Sequence, residues 1–260
     1  MIKLKRTDKP IELTDELVKS LTEEYINSKD QGKTKSVWIK SYIKKALSDI
    51  SNKCCYCEVK LGEESKYMEV EHFHDKHTYP SEVIEWENLL PSCKRCNGKK
   101  STHDTKKHPI INPTLNNPKD HLWLYCYRIK GKDELGKLTI DVLDLNDSDR
   151  LVKVRFEIGN QIQESLQSQI DIVTNYINSS NNTIRTKNKI VKACEGIMKQ
   201  GLPSEAYSAT TSCVILNSEE YIELKSKLKE ASLWNTDFDE IEKQLKEIAF
   251  DVYIPRIKIQ

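Results

Sequence analysis

Two cysteine pairs constrain this chain more than any other feature. Cys54 and Cys57 form one C-x-x-C, and Cys93 and Cys96 form another. Each pair has the two-residue interval that lets a tight turn present two sulfurs to one ion, so the four thiolates suit a single tetrahedral zinc. The interval between the pairs, Glu58 to Ser92, is longer than in a compact zinc ribbon and must hold an inserted element. It contains Glu69-Val70-Glu71-His72-Phe73-His74-Asp75 and then Asn88, and Asn97 directly follows the last cysteine. A closed set of four sulfurs leaves no open coordination position, so this zinc would hold the scaffold and do no chemistry. The competing reading makes these redox or core thiols. Cys55, beside Cys54, is an alternative ligand whose spacing to Cys57 fits less well. Cys126, Cys194 and Cys213 are scattered and read as core residues.

The remaining bulk properties exclude some classes. A chain of 260 residues can bury a real core and does not need zinc merely to fold. Its formal net charge is +1, so any basic surface that meets a polyanion must be local. No apolar run is long enough to span a bilayer, and the start, Met1-Ile2-Lys3-Leu4-Lys5-Arg6, lacks the apolar core of a secretory signal. A cytoplasmic location and reduced thiols are expected.

The pattern along the chain predicts an α+β, mostly α protein in three segments: helical residues 1–50, a metal-bound core over 51–115 and a mainly helical region over 116–260. Thr14 caps a helix carrying Leu17, Leu21 and Tyr25, followed by a polar loop over 27–35. Residues 37–50 read as a second helix. Residues 66–72 alternate like a strand, with Met68, Val70 and His72 on one face and Tyr67, Glu69 and Glu71 on the other. Asn97 to Thr102 suits a short helix. Leu138, Ile140 and Val142 alternate like a further strand. Ile162, Leu166, Ile170, Val173 and Ile177 trace a helical face, and Ser179 to Asn182 a break. Residues 184–199 read as another helix, and Asn217 with Glu220 and Asp237 with Glu240 as two capping boxes.

The inserted residues carry the chemistry of phosphodiester hydrolysis. That reaction needs a base to activate water, a cation to stabilise charge on the phosphate and the leaving oxygen, and ligands for the cation. His72 has the pKa range of the base. Glu71 is a ligand for a hard cation such as Mg2+ or Mn2+, and Asn97, placed by the zinc, a second ligand. Adjacent strand residues point to opposite faces, so Glu71 and His72 meet only if the strand bends or ends there. Asn88 suits side-chain bonds to backbone that keep His72 in place. His74, Lys99 and Lys100 are candidate contacts for substrate phosphate, with Lys94 and Arg95 flanking them. His77, His103, His108 and His121 read as surface or turn residues, and Trp86 and Trp123 as packing.

The order Cys-x-x-Cys, Glu-His, Asn-Leu, Cys-x-x-Cys-Asn resembles the HNH endonuclease family with its ββα-metal fold, over roughly residues 53–100. The resemblance implies that Glu71 holds the catalytic cation, His72 is the general base, Asn88 is mainly structural and Asn97 is the helix ligand. Many members carry a second histidine on this helix, whereas here Asn97 takes that place and Ser101 falls one turn later. A narrower resemblance joins Cys55-Tyr56-Cys57-Glu58, Glu71-His72-Phe73, Trp86-Glu87-Asn88-Leu89 and Pro109-Ile110-Ile111-Asn112-Pro113. These segments are similar to the HNH subunits of Septu and related retron anti-phage systems, whose usual basic residue after Glu-His-Phe is here His74. That likeness implies defence, the ATPase partner PtuA and a nucleic-acid substrate, DNA before RNA, with docking of the ATPase or of a second copy by the helical remainder. The alternative is a non-catalytic zinc module that binds nucleic acid or protein.

Overall fold

The computed structural model describes residues 1–63, 67–179 and 183–252. It is a mostly helical α+β protein with two small sheets, and the chain divides into two compact units. The first comprises residues 1–121 and 131–145, the second residues 122–130 and 146–260. These units cut the chain differently from the three sequence segments, because the N-terminal helices share a core with the cysteine-rich region.

In the first unit, α1 (Asp15–Asp30) begins where Thr14 accepts the Leu17 N–H at 3.3 Å, satisfying an otherwise orphaned donor. It runs three residues into the stretch expected as a loop. The second helix, α2 (Ser41–Ile50), starts later than expected, and Val37 to Lys40 form turns instead. Strand β1 (Met68–His72) pairs antiparallel with β2 (Leu89–Cys93), with Glu71 opposite Leu90 and His72 opposite Leu89. Helix α3 (Lys94–Lys100) follows β2 without a linker. One face of β1 supplies Val70, with Met68 packed at the margin, to an apolar core built from Leu21, Tyr25, Ile43, Leu47, Val83, Ile84, Trp86 and Leu89. Short α4 (Pro118–His121) and α5 (Glu134–Leu143) complete this unit.

Helix α5 replaces the strand expected around Ile140. Asp133 accepts the Gly136 N–H at 2.8 Å and nucleates a helix, which buries Thr139 and Leu143 at helical spacing. The alternation of Leu138, Ile140 and Val142 was coincidental with that period.

The second unit carries a sheet in the order β4–β3–β5, from β3 (Leu122–Tyr125), β4 (Arg128–Gly131) and β5 (Asp251–Val252), with β3 and β5 parallel. Five helices follow one another: α6 (Lys153–Asn178), α7 (Ile184–Lys199), α8 (Ser208–Asn217), α9 (Glu219–Glu230) and α10 (Thr236–Ile248). They enclose a core containing Ile162, Leu166, Ile170, Val173, Leu224, Phe238 and Leu245. The caps sit beside the expected ones. Ser218 accepts the Tyr221 N–H, and Asn235 accepts those of Asp237 and Phe238. Most of the expected break at Ser179–Asn182, and Lys66 before β1, lie outside the described residues. No helix among the described residues is long and apolar enough to cross a membrane.

Candidate metal centre and the β1–α3 site

The first cysteine pair sits in a tight turn. The Cys54 N–H donates to Val59 O at 2.9 Å, the Glu58 N–H donates to Cys54 O at 3.0 Å, and Glu58 adopts a positive φ of 66°. The second pair sits at the β2–α3 junction. The Cys93 sulfur caps α3 by accepting the Cys96 N–H at 3.5 Å. The two turns bring the ligand atoms of Cys54, Cys57, Cys93 and Cys96 within 4.8 Å of one another, all buried.

This geometry fits zinc and excludes a disulfide. The Cys57 and Cys93 sulfurs are 3.7 Å apart. A disulfide needs about 2.05 Å, whereas a zinc tetrahedron with Zn–S near 2.3 Å spaces its sulfurs by roughly 3.8 Å. Hydrogen bonding to Cys54 and to other sulfurs of the cluster pushes Cys57 and Cys96 well above the ordinary thiol range. Four ionised sulfurs at this spacing need a cation. Cys55 is also buried, but its backbone N–H bonds Pro91 O and burial holds its thiol up, so it packs outside the set of four.

The acidic residues of β1 face α3. Glu69 Oε2 accepts the Asn97 side-chain N–H at 2.7 Å, and both residues are half-buried. Glu71 lies deeper. Its Oε1 meets Lys100 Nζ at 2.8 Å and the Tyr56 hydroxyl at 3.3 Å, and the side chains of Glu71 and Lys100 are only 2% and 1% exposed. Burial pushes the Glu71 carboxyl up to about 7, against the pull of Lys100 and Tyr56. Lys100 also donates to His72 O at 2.8 Å. Its expected place on a phosphate-steering surface is corrected: the ammonium is inside, holding Glu71. Lys99 stays at the surface 2.9 Å from Asp144, where Arg95 also donates to Leu143 O and Asp144 O.

His72 goes the other way. The strand does not bend at Glu71, so the ring emerges on the opposite face and meets Trp38 edge-on at 4.8 Å. Its Nε2 lies 3.0 Å from Val83 O; a carbonyl only accepts, so Nε2 carries the proton. Burial and the charge of Lys76 pull its pKa down to about 3. The structure therefore brings Glu69, Glu71, Asn97 and Lys100 together and leaves His72 apart from them.

Asn88 braces the loop after β1 rather than His72 itself. Its Oδ1 accepts the His74 N–H at 2.7 Å, and its Nδ2 donates to His74 O at 3.1 Å and Glu82 O at 3.0 Å. The His74 ring is half-exposed and bonds Thr105 Oγ1 at 2.7 Å. Sequence reasoning missed three partners here: Trp38, Thr105 and the buried role of Lys100. Thr105 is 31 residues from His74 and belongs to no local pattern that would have revealed it.

No protein-family model matches the chain. The chain is 46% identical over 242 residues, 93% of its own length and 92% of the relative's, to a Bacillus thuringiensis protein named Septu protein PtuB. That level of identity, sustained across both compact units, places this chain in the Septu PtuB family.

Proposed function

We propose that the protein is a metal-dependent HNH-type endonuclease that hydrolyses phosphodiester bonds, DNA before RNA, as the effector of an anti-phage system with the ATPase PtuA. One observation carries the reading: Asn97, the residue after a zinc-site cysteine, is bonded to an acid of β1 on a hairpin-and-helix unit closed at one end by four cysteines. That arrangement corresponds to the ββα-metal core expected from the sequence. The helical second unit supplies surface for the ATPase or for a second copy of the chain.

The donor set on the α3 side of β1 fits a hard divalent cation such as Mg2+ or Mn2+. Glu69, Glu71 and Asn97 offer carboxylate and amide oxygens there. Lys100 already places a positive charge against Glu71, so this face favours cations. Bound there, the cation would stabilise negative charge on the phosphate and on the leaving oxygen. For Glu71 to serve as a ligand, Lys100 must withdraw and Glu71 must stay ionised. For Asn97, the amide must release Glu69 or turn its oxygen toward the ion. Lys99 remains available at the surface for the phosphate backbone once it leaves Asp144. His72, the base of the sequence reading, would have to break its bond to Val83 and leave Trp38 to reach this side.

The buried Glu71–Lys100 pair supports a second reading, a zinc module without catalysis, because an internal ion pair needs no metal. Nicking of supercoiled plasmid by zinc-loaded protein with its ATPase separates the two. The nuclease reading expects cleavage that requires Mg2+ or Mn2+ and falls at least tenfold in Asn97→Ala, with zinc retained. Absence of cleavage on plasmid, single-stranded DNA and RNA alike would favour the module.

A further inference from the structure

Cleavage on the α3 side of β1 needs a proton acceptor there, and the loop after β1 offers one. His74 follows the strand by two residues, and its ring bonds Thr105, which lies just beyond the end of α3. Lys100, on α3, is near enough to act electrostatically on this ring.

The hydrogen bonds around His74 fix its tautomer. Thr105 has one hydroxyl hydrogen, and it goes to Phe73 O at 2.9 Å. Toward His74 Nδ1, at 2.7 Å, the hydroxyl is therefore the acceptor, so Nδ1 carries the ring proton. Nε2 is left with a lone pair. The ring is held edge-on by Phe73 at 5.2 Å and Tyr79 at 6.1 Å, and Asn88 clamps the backbone N–H and C=O of the same residue. Thr105 and Asn88 are both 4% exposed, so the clamp is rigid and internal while the ring it presents is half-exposed. A histidine that grips phosphate must be a cation. Burial keeps this one neutral more readily than a free imidazole, and the charged groups facing it offset one another: Glu82 and Asp104 against Lys106 and Lys100.

We propose that His74 is the general base of the phosphodiesterase, with Thr105 and Asn88 as positioning residues that present Nε2 as a proton acceptor. The inference rests on the nuclease reading. Water gives a proton to Nε2 as its oxygen bonds to phosphorus. The bond from phosphorus to the leaving sugar oxygen breaks, and that oxygen takes a proton from solvent. The imidazolium then returns its own proton to solvent.

The test uses the full zinc-loaded chain with its ATPase, supercoiled plasmid and Mn2+ under single-turnover conditions. His74→Ala is expected to cut at least 100-fold more slowly, within the usual range for a lost general base, with unchanged zinc content and melting temperature. Added imidazole is expected to restore part of that rate. Thr105→Val should slow cleavage about tenfold and Thr105→Ser should recover it. Nitrogen-15 NMR of labelled histidines should show His74 protonated at Nδ1 in the wild type and redistributed toward Nε2 in Thr105→Val. Wild-type cleavage that survives His74→Ala, or a wild-type ring protonated at Nε2, overturns the assignment while leaving the nuclease reading intact. A wild type that cuts nothing overturns the nuclease reading itself, and the base role with it.

Discussion

Glu71 and His72 are adjacent in sequence and back to back in space. Glu71 reaches Lys100 at 2.8 Å on the α3 side of β1, and His72 reaches Val83 O at 3.0 Å on the other. The alternation of side chains along a strand enforces this, because β1 stays paired through His72. An acid–histidine step on a strand thus feeds two environments, one ionic and one apolar.

The apolar side predicts that His72 matters to stability. His72→Ala removes a buried hydrogen bond and the edge contact with Trp38 and leaves a cavity. A loss of about 2–4 kcal/mol is expected, read by denaturant unfolding at neutral pH. A variant as stable as the wild type would contradict the packing described for this ring.

The depressed His72 pKa predicts an acid-sensitive step. The unfolded chain protonates this ring near pH 6.5, whereas the folded chain resists until about 3, chiefly because of burial. The unfolded state therefore binds more protons across that window. The stabilisation is complete above about pH 6.5 and is lost as pH falls toward 3, by roughly 1.4 kcal/mol per pH unit. His72→Gln can keep a donor to Val83 O and does not titrate, so it should lose less stability than the wild type over the same window. Zinc release at acid pH affects both proteins and cancels in the comparison. Parallel stability curves would contradict the prediction.

On the ionic side, Lys100→Met strands the Glu71 carboxylate without its cation. Breaking a buried pair this way costs about 3–5 kcal/mol, and Glu71→Gln in the same chain should recover a large part of it. Thermal melts of the two single variants and the double variant check this, and strictly additive effects would mean that the two side chains are not coupled.

The sulfur cluster predicts one zinc per chain. Cys57→Ser or Cys96→Ser should lower metal content and melting temperature together, and Cys55→Ala should retain a full equivalent of zinc. Metal analysis of purified variants decides this. Loss of zinc from Cys55→Ala would place a fifth thiol in the set.

Much of this was legible in sequence because it depends on short-range patterns. The cysteine spacing located the buried cluster, and the alternation from Met68 to His72 gave the correct faces of β1. The pairing of Asn97 with β1 followed from its place after Cys96. What the sequence hid was long-range or conditional. The acid–histidine step was read as one site, although it converges only if the strand bends, and β1 stays straight. Lys100 looked like one more surface base beside a knuckle; its burial depends on the turn of α3 that faces β1. Leu138, Ile140 and Val142 satisfied a strand period, but the cap at Asp133 selected a helix.

The account's central claim is that the α3 side of β1 is a catalytic face. Single-turnover nicking of plasmid DNA by the zinc-loaded protein with its ATPase, at saturating Mn2+, tests it most directly when wild type and Glu69→Gln/Asn97→Ala are compared. The account predicts metal-dependent cleavage by the wild type and a loss of at least 100-fold in the double variant, with zinc and fold retained. Equal cleavage by both proteins would contradict it.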